Sequence, residues 1–198
     1  MTLSHREKYA LQYGTPPEAV SAVLLEGGFA LAQRFDAGEL QLREDVYASP
    51  DRRAAIRYIR DHFVHIDVLV IEAVDGATLT DWYHRLVSRL EMFGAQALAD
   101  LARSQDMVSR SFGLRGLAAT QSAVWISAYE AIRVALEDPR DDIRRIAILA
   151  VARLAWYEFL PILAECAIRE PNPQIRSELD DLAREMRARG PRPQVSPW

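Results

Sequence analysis

The chain has 198 residues, 49% hydrophobic and 26% charged, with 24 Lys+Arg against 28 Asp+Glu for a net charge of −4. That balance excludes a disordered chain and leaves room for one domain or two small ones. The acidic excess weighs against a nucleic-acid binder, which ordinarily shows a basic face. The single cysteine, Cys166, rules out an internal disulfide and a thiolate metal site, and its neighbours Ile162, Leu163, Ala167 and Ile168 mark it as a buried thiol. Lys8 is the only lysine, so nearly all positive charge is arginine. Neither a signal peptide nor a run of roughly 18 apolar residues is visible, and the expected location is the cytoplasm.

In chain order, Thr15-Pro16-Pro17-Glu18 is a helix start, with proline where no N–H is needed and an acid favoured by the dipole. Val20, Val23, Leu24, Leu31 and Phe35 follow at mostly helical spacing, weakened in the middle by Gly27-Gly28 and closed by Asp36-Ala37-Gly38. Ser49-Pro50-Asp51 is a second start, leading into Ala55, Ile59, His62 and Phe63. The segment from Val64 to Ile71 is β-branched and alternates in part, which locally reads as a strand. With no second convincing strand run to pair with, it is assigned as a buried helix ended by Asp75-Gly76. Thr80-Asp81 starts a third helix through Tyr83, Leu86, Val87 and Leu90, closed by Phe93-Gly94.

The C-terminal third carries an internal repeat. Asp138-Pro139 and Glu170-Pro171 stand 32 residues apart, and Ile143-Arg144 recurs as Ile175-Arg176 at the same shift. The stripe Ala147, Ala150, Val151 and Leu154 maps by that shift onto Leu179, Leu182, Ala183 and Met186. Between them a helix from about Glu158 to Ile168 places Phe159, Leu163, Cys166 and Ala167 on one side. A weaker copy starts at Gln105-Asp106-Met107-Val108, with Leu114, Leu117 and Ala118 as its stripe and Trp125, Tyr129 and Ile132 on its second helix. A helix pair repeated at this period stacks with its neighbours, because one pair alone cannot bury its apolar face.

The turns Asp138-Pro139-Arg140-Asp141-Asp142-Ile143-Arg144 and Glu170-Pro171-Asn172-Pro173-Gln174-Ile175-Arg176 resemble the junctions of short HEAT-like repeats of the phycobilin-lyase type. The resemblance covers residues 106–188. It implies that Asp138 caps a helix and that Arg144 and Arg176 bridge neighbouring repeats, with Glu170 standing where the family usually has Asp. The expected fold is an all-α, right-handed solenoid of stacked antiparallel helix pairs. Residues 1–105 are read as divergent helical pairs, 106–188 as the repeats, and 189–198 as an extended or disordered tail.

Chemistry has little foothold. His62 and His65 would share a helix face near Asp61 and Asp67 but lack a third ligand at diagnostic spacing, so no metal is assigned. No catalytic nucleophile motif or phosphate-cradling glycine loop occurs, and no catalytic residue or cofactor is expected. Arg53, Arg57 and Arg60 would fall on one helix face and could grip phosphates, although Asp51 and Asp61 neutralise part of that stripe. Glu158 and Glu165 share a face and could flank a groove.

The aromatic pairs Trp82-Tyr83 and Trp156-Tyr157, with Trp125 and Tyr129 one turn apart, are the strongest site signal. Adjacent rings point about 100° apart on a helix and rarely enter one core together, and Trp and Tyr are frequent interface anchors. The expected function is therefore protein binding through the concave face, as an adaptor or an inhibitor of the immunity or antitoxin kind against a basic partner. The alternatives are a lyase-type enzyme or accessory holding a bulky ligand, and nucleic-acid binding. Exposed rings would serve a homodimer equally well, and no membrane partner is expected.

Overall fold

A strand buried on one face alternates apolar and polar side chains, and charges on its wet face are tolerated when neighbouring strands supply counter-charges. Ala54–Asp61 follows that rule over most of its length, whereas Ile66–Ala73 is buried at six of its eight positions and His5–Leu11 runs from exposed to buried along the strand. The structure, a computed structural model, describes residues 2–37 and 42–191. The chain divides into two units, Met1–Gly94 and Ala95–Trp198.

The first unit runs β1 (His5–Leu11), α1 (Pro17–Glu26), β2 (Ala30–Ala37), β3 (Leu42–Ala48), β4 (Ala54–Asp61), β5 (Ile66–Ala73), α2 (Gly76–Val87) and β6 (Met92–Phe93). Its strands form one antiparallel sheet in the order β2-β3-β4-β5-β1-β6. The register aligns Tyr47 with Ile56, Ile56 with Ile71, Tyr58 with Leu69, and Leu69 with Tyr9. That face is closed by Val20, Val23 and Leu24 of α1 and Leu79 and Leu86 of α2, completing one core with Phe29, Leu90 and Met92.

This sheet overturns the all-α solenoid expected for the whole chain. Residues 54–61, assigned to a second helix, are β4, and the β-branched run is β5, flanked on both sides by β4 and β1. Leu31 and Phe35 belong to β2, and Phe93 to β6. Asp75 does not end an element; its carboxylate accepts from the Thr78 N–H at 2.7 Å and starts α2 five residues before Thr80. Of the expected Asp36-Ala37-Gly38 stop, Asp36 and Ala37 are strand and Gly38 lies outside the described residues.

The second unit consists of α3 (Ala95–Leu101), α4 (Met107–Thr120), α5 (Ile126–Leu136), α6 (Asp141–Leu154), a 3₁₀ turn (Tyr157–Phe159), α7 (Leu160–Arg169) and α8 (Pro173–Arg189). Helices pair as α3 with α4, α5 with α6 and α7 with α8; α4, α6 and α8 also pack side by side as one layer. The stripes read from the repeat are buried on α4, α6 and α8. Gly113 lets α4 touch α3, since a Cβ there would lie 2.3 Å from the Ala102 nitrogen. Of the expected tail, Arg189 still belongs to α8, while residues 192–198 lie outside the described residues. No helix among the described residues is long and apolar enough to cross a membrane.

Candidate functional site

The two repeat turns of the second unit share their bonding in detail. The Arg140 N–H donates to Asp138 Oδ1 at 2.9 Å, and 32 residues on the Asn172 N–H donates to Glu170 Oε1 at 2.9 Å. Arg144 donates to the Asp138 carbonyl at 2.8 Å, and Arg176 to the Glu170 carbonyl at 2.5 and 3.1 Å. The longer Glu170 side chain keeps the turn bond and also takes Arg144 in a fork, with both N···O distances 2.7 Å. Arg144 therefore bridges two turns, whereas the observed bonds of Arg176 stay within its own turn. Asp138 sits three residues before the first helical position of α6 and binds Arg110 of α4 at 2.8 Å. Burial alone would raise the Asp138 carboxyl, but bonds from the Arg140 side chain and backbone and the Arg110 charge hold it below the usual range.

Arg110 was not legible from the repeat, because it precedes Arg144 by 34 residues and not 32. A cavity of about 380 Å³ between the two turns is lined by Asp138, Arg144, Cys166, Arg169 and Glu170. Its charged walls are already bonded to one another, and burial pushes the Cys166 thiol up, so it is a poor nucleophile.

The unit turns a different surface to solvent along α5 and α7. On α5, Ile126 and Val134 are exposed together with Glu137, with Glu130 and Arg133 half-buried between them, all at helical spacing. On α7 the exposed set is Pro161, Glu165, Ile168 and Arg169. Arg169 joins the two helices, 2.9 Å from Glu137 and 3.7 Å from Glu165. Ile168 is 84% exposed and Ile126 67%, values rare for an isoleucine on a helix with a well-filled inner face.

The aromatic residues singled out from sequence divide here. Trp156 is buried, its ring stacked on Phe159 at 5.9 Å, and Tyr129 stacks on the same Phe159 ring at 4.7 Å while its hydroxyl donates to the Glu158 carbonyl at 3.3 Å. They wedge α5 against the 3₁₀ turn. Tyr157 points out at 41% exposure, Glu158 and Glu165 are exposed, and Trp125 is half-buried at the first residue before α5. Six of the expected binding residues lie in this unit, Tyr129 and Trp156 packed around Phe159, and Tyr157 and Glu158 beside Pro161, Ala164 and Arg187. Ile126, Val134 and Ile168 are exposed as well and were not picked out as site residues. Their signal was an aliphatic side chain lying off the buried stripe of its helix.

Trp82 and Tyr83 belong to the first unit and serve its core edge. Trp82 meets Phe29 edge-on at 4.4 Å with Arg85 over its ring at 4.9 Å, and Tyr83 stacks on Tyr9 at 4.9 Å. Arg53, Arg57 and Arg60 do not share a face. Arg53 precedes β4 and binds Asp75 at 2.8 Å; Arg57 binds Glu44 at 2.5 Å on one face of the sheet; Arg60 lies near Asp45 at 3.6 Å on the other. His62 and His65 fall in the turn between β4 and β5, not on a helix face. Among the described residues no three His, Cys, Asp or Glu side chains group as metal ligands would. At this end of the sheet, Arg34 forks onto Asp45 at 2.6 and 3.3 Å, and Tyr58 donates to Asp67 at 2.5 Å. Burial raises the Asp67 carboxyl even though that bond and the charges of Arg60 and His62 pull it down. No protein family, no curated protein and no solved structure matches this chain.

Proposed function

We propose that this chain binds another protein through the outer face of α5, Tyr157 and α7, and that this contact is its function. The observation carrying the reading is the pair of isoleucines, Ile126 and Ile168, exposed on helices whose inner faces are already filled. Leaving them in water costs about 1.5–3 kcal/mol each relative to burial, which a partner recovers. Glu130, Glu137, Glu158 and Glu165 outnumber Arg133 and Arg169 around them, so the fitting partner presents an apolar anchor within a basic surround. Masking of a basic target, as an immunity or antitoxin protein does it, is the mode that the chain's size and the glutamates of this face favour, and a cytoplasmic setting belongs to the same reading. The helix pairs and the twofold recurrence of the turn bonds support the HEAT-like reading for residues 106–188. The proposed contact is the α5–α7 side, where the sequence pointed to a concave face. The bulky-ligand and phosphate readings gain no comparable observation, since the junction cavity is internally bonded and each of the three arginines has an acid beside it.

The test is affinity capture from source cells with the unaltered chain and with Ile126→Glu/Ile168→Glu. A protein retained near stoichiometrically by the first and lost by the second, with both giving the same circular dichroism, supports the reading. A partner held equally by both sinks it.

A further inference from the structure

The outermost strand of the sheet is poorly guarded. β2 stands at one end of the strand order, pairs among the described residues only with β3, and exposes every residue from Ala30 to Asp36, Leu31 at 44% and Phe35 at 43% among them. Among the described residues no strand lies beyond its outward N–H and C=O groups, the usual template for a further strand. Charges on such an edge ordinarily repel a newcomer. Here their order matters.

Arg34 and Asp36 lie on the same face as the helices, opposite Asp45 and Arg43 respectively, and Phe35 lies on the other face opposite Glu44. A second copy added antiparallel about a two-fold axis perpendicular to the sheet must pair residues that share a face, so the register moves in steps of two. One such register sets Arg34 against Arg34, and another sets Asp36 against Asp36; both oppose like charges. Centring the axis on Phe35 instead places each Arg34 opposite the other copy's Asp36 and the two Phe35 rings side by side. It also places Gln33 opposite Ala37. Asp36 is the acid with room for this, its side chain 70% exposed and 3.3 Å from Arg43. The register irregularity between Leu31 and Gln33 lies outside the five residues used.

We infer that the chain self-associates through β2, the two sheets joining into one across a two-fold axis at Phe35. This contact is independent of the α5–α7 face and adds a surface to it.

The register makes a specific test. Light scattering on the intact chain is expected to give twice the 22.4 kDa mass at high concentration. Phe35→Cys, under mild oxidation by copper phenanthroline, is expected to cross-link into a covalent dimer, because directly opposed residues hold their Cα atoms within about 4.4–6.8 Å. Gln33→Cys is expected to stay uncross-linked, and the unaltered chain, with its buried Cys166, serves as the thiol control. Asp36→Lys sets like charges opposite Arg34 and is expected to return the mass to that of the monomer with an unchanged melting temperature. A monomer at every concentration overturns the inference. So does a dimer that survives Asp36→Lys, or one in which Gln33→Cys cross-links as well as Phe35→Cys; each assigns self-association to another surface or register.

Discussion

Glu170 carries a carboxylate 97% removed from solvent by its neighbours, with side-chain exposure of 3%, and Arg144 neutralises it at 8% exposure. Removing one member of such a pair leaves a buried charge, whereas removing both leaves none. Arg144→Ala is expected to lower unfolding stability by about 3–5 kcal/mol in urea titration, and Arg144→Met/Glu170→Leu to recover most of it. A double variant as unstable as the single one would show that the turn bonds to Asn172 and Asp138, and not the charge pair, hold this junction.

Two carboxylates respond to pH with opposite signs. The Asp138 carboxyl is held low in the folded chain, so below the ordinary value near 3.9 the unfolded chain takes up the proton first. Its contribution is complete above that value and is lost as pH falls through the lower folded one. Asp138→Asn is expected to melt below the unaltered chain at pH 7, with the two melting curves converging in acid. Asp67 is raised by burial, so its ionisation opposes folding as pH rises. Asp67→Asn keeps an acceptor for the Tyr58 hydroxyl. It is expected to match the unaltered chain near pH 3 and to melt a few degrees above it at pH 7. Equal melting at both pH values would mean that Arg60 and His62 fully offset the burial.

At the scale of elements, what could be read depended on where each pattern finds its partners. Helical stripes on α4, α6 and α8 are local signals, repeated at a fixed shift, and so were visible in the sequence. Strands were hidden because their counter-charges come from other strands. Arg6, Glu72, Arg57 and Glu44 form a ladder across β1, β5, β4 and β3 with contacts of 2.5–3.7 Å, and along any single strand they look like solvated helix surface. The β5 run was recognisable as strand-like and was set aside for want of partners. Its partners, β1 and β4, carry the sequences HREKYAL and AAIRYIRD, which those charges keep from reading as strands.

The α3–α4 contact rests on a signal of a different sort, two glycines within a helix. A methyl group at Gly113 would meet α3 backbone at 2.3–2.7 Å, which cannot move aside without parting the helices. At Gly116 it meets Leu98 Cδ2 at 2.4 Å, the far end of a side chain that can rotate. Gly113→Ala is expected to cost about 3 kcal/mol, and Gly116→Ala no more than about 1 kcal/mol after the helix-propensity gain. Equal losses in urea titration would contradict the backbone contact at Gly113.

For the molecule as a whole, the net charge misleads unless it is divided. Residues 1–94 hold 14 acids and 10 bases, and residues 95–198 hold 14 of each, so the entire excess lies in the sheet unit. An acidic chain suggested a basic partner, but the helical unit that carries the exposed isoleucines is neutral, with only a local excess of glutamates on the α5–α7 face. Long-range steering from that unit is therefore weak, and fields from local charges fade beyond a Debye length of about 8 Å at physiological salt. Binding there should be governed by how slowly the isoleucines leave their pockets, not by how fast the partner arrives. The association rate with the captured partner, followed from low to physiological salt, is expected to fall by about threefold or less. Ile126→Ala and Ile168→Ala are each expected to speed dissociation by about tenfold, the loss of 1–2 kcal/mol of buried surface. A steep fall in association rate with salt, together with unchanged dissociation in both variants, would move the contact to the sheet unit, where the charge is.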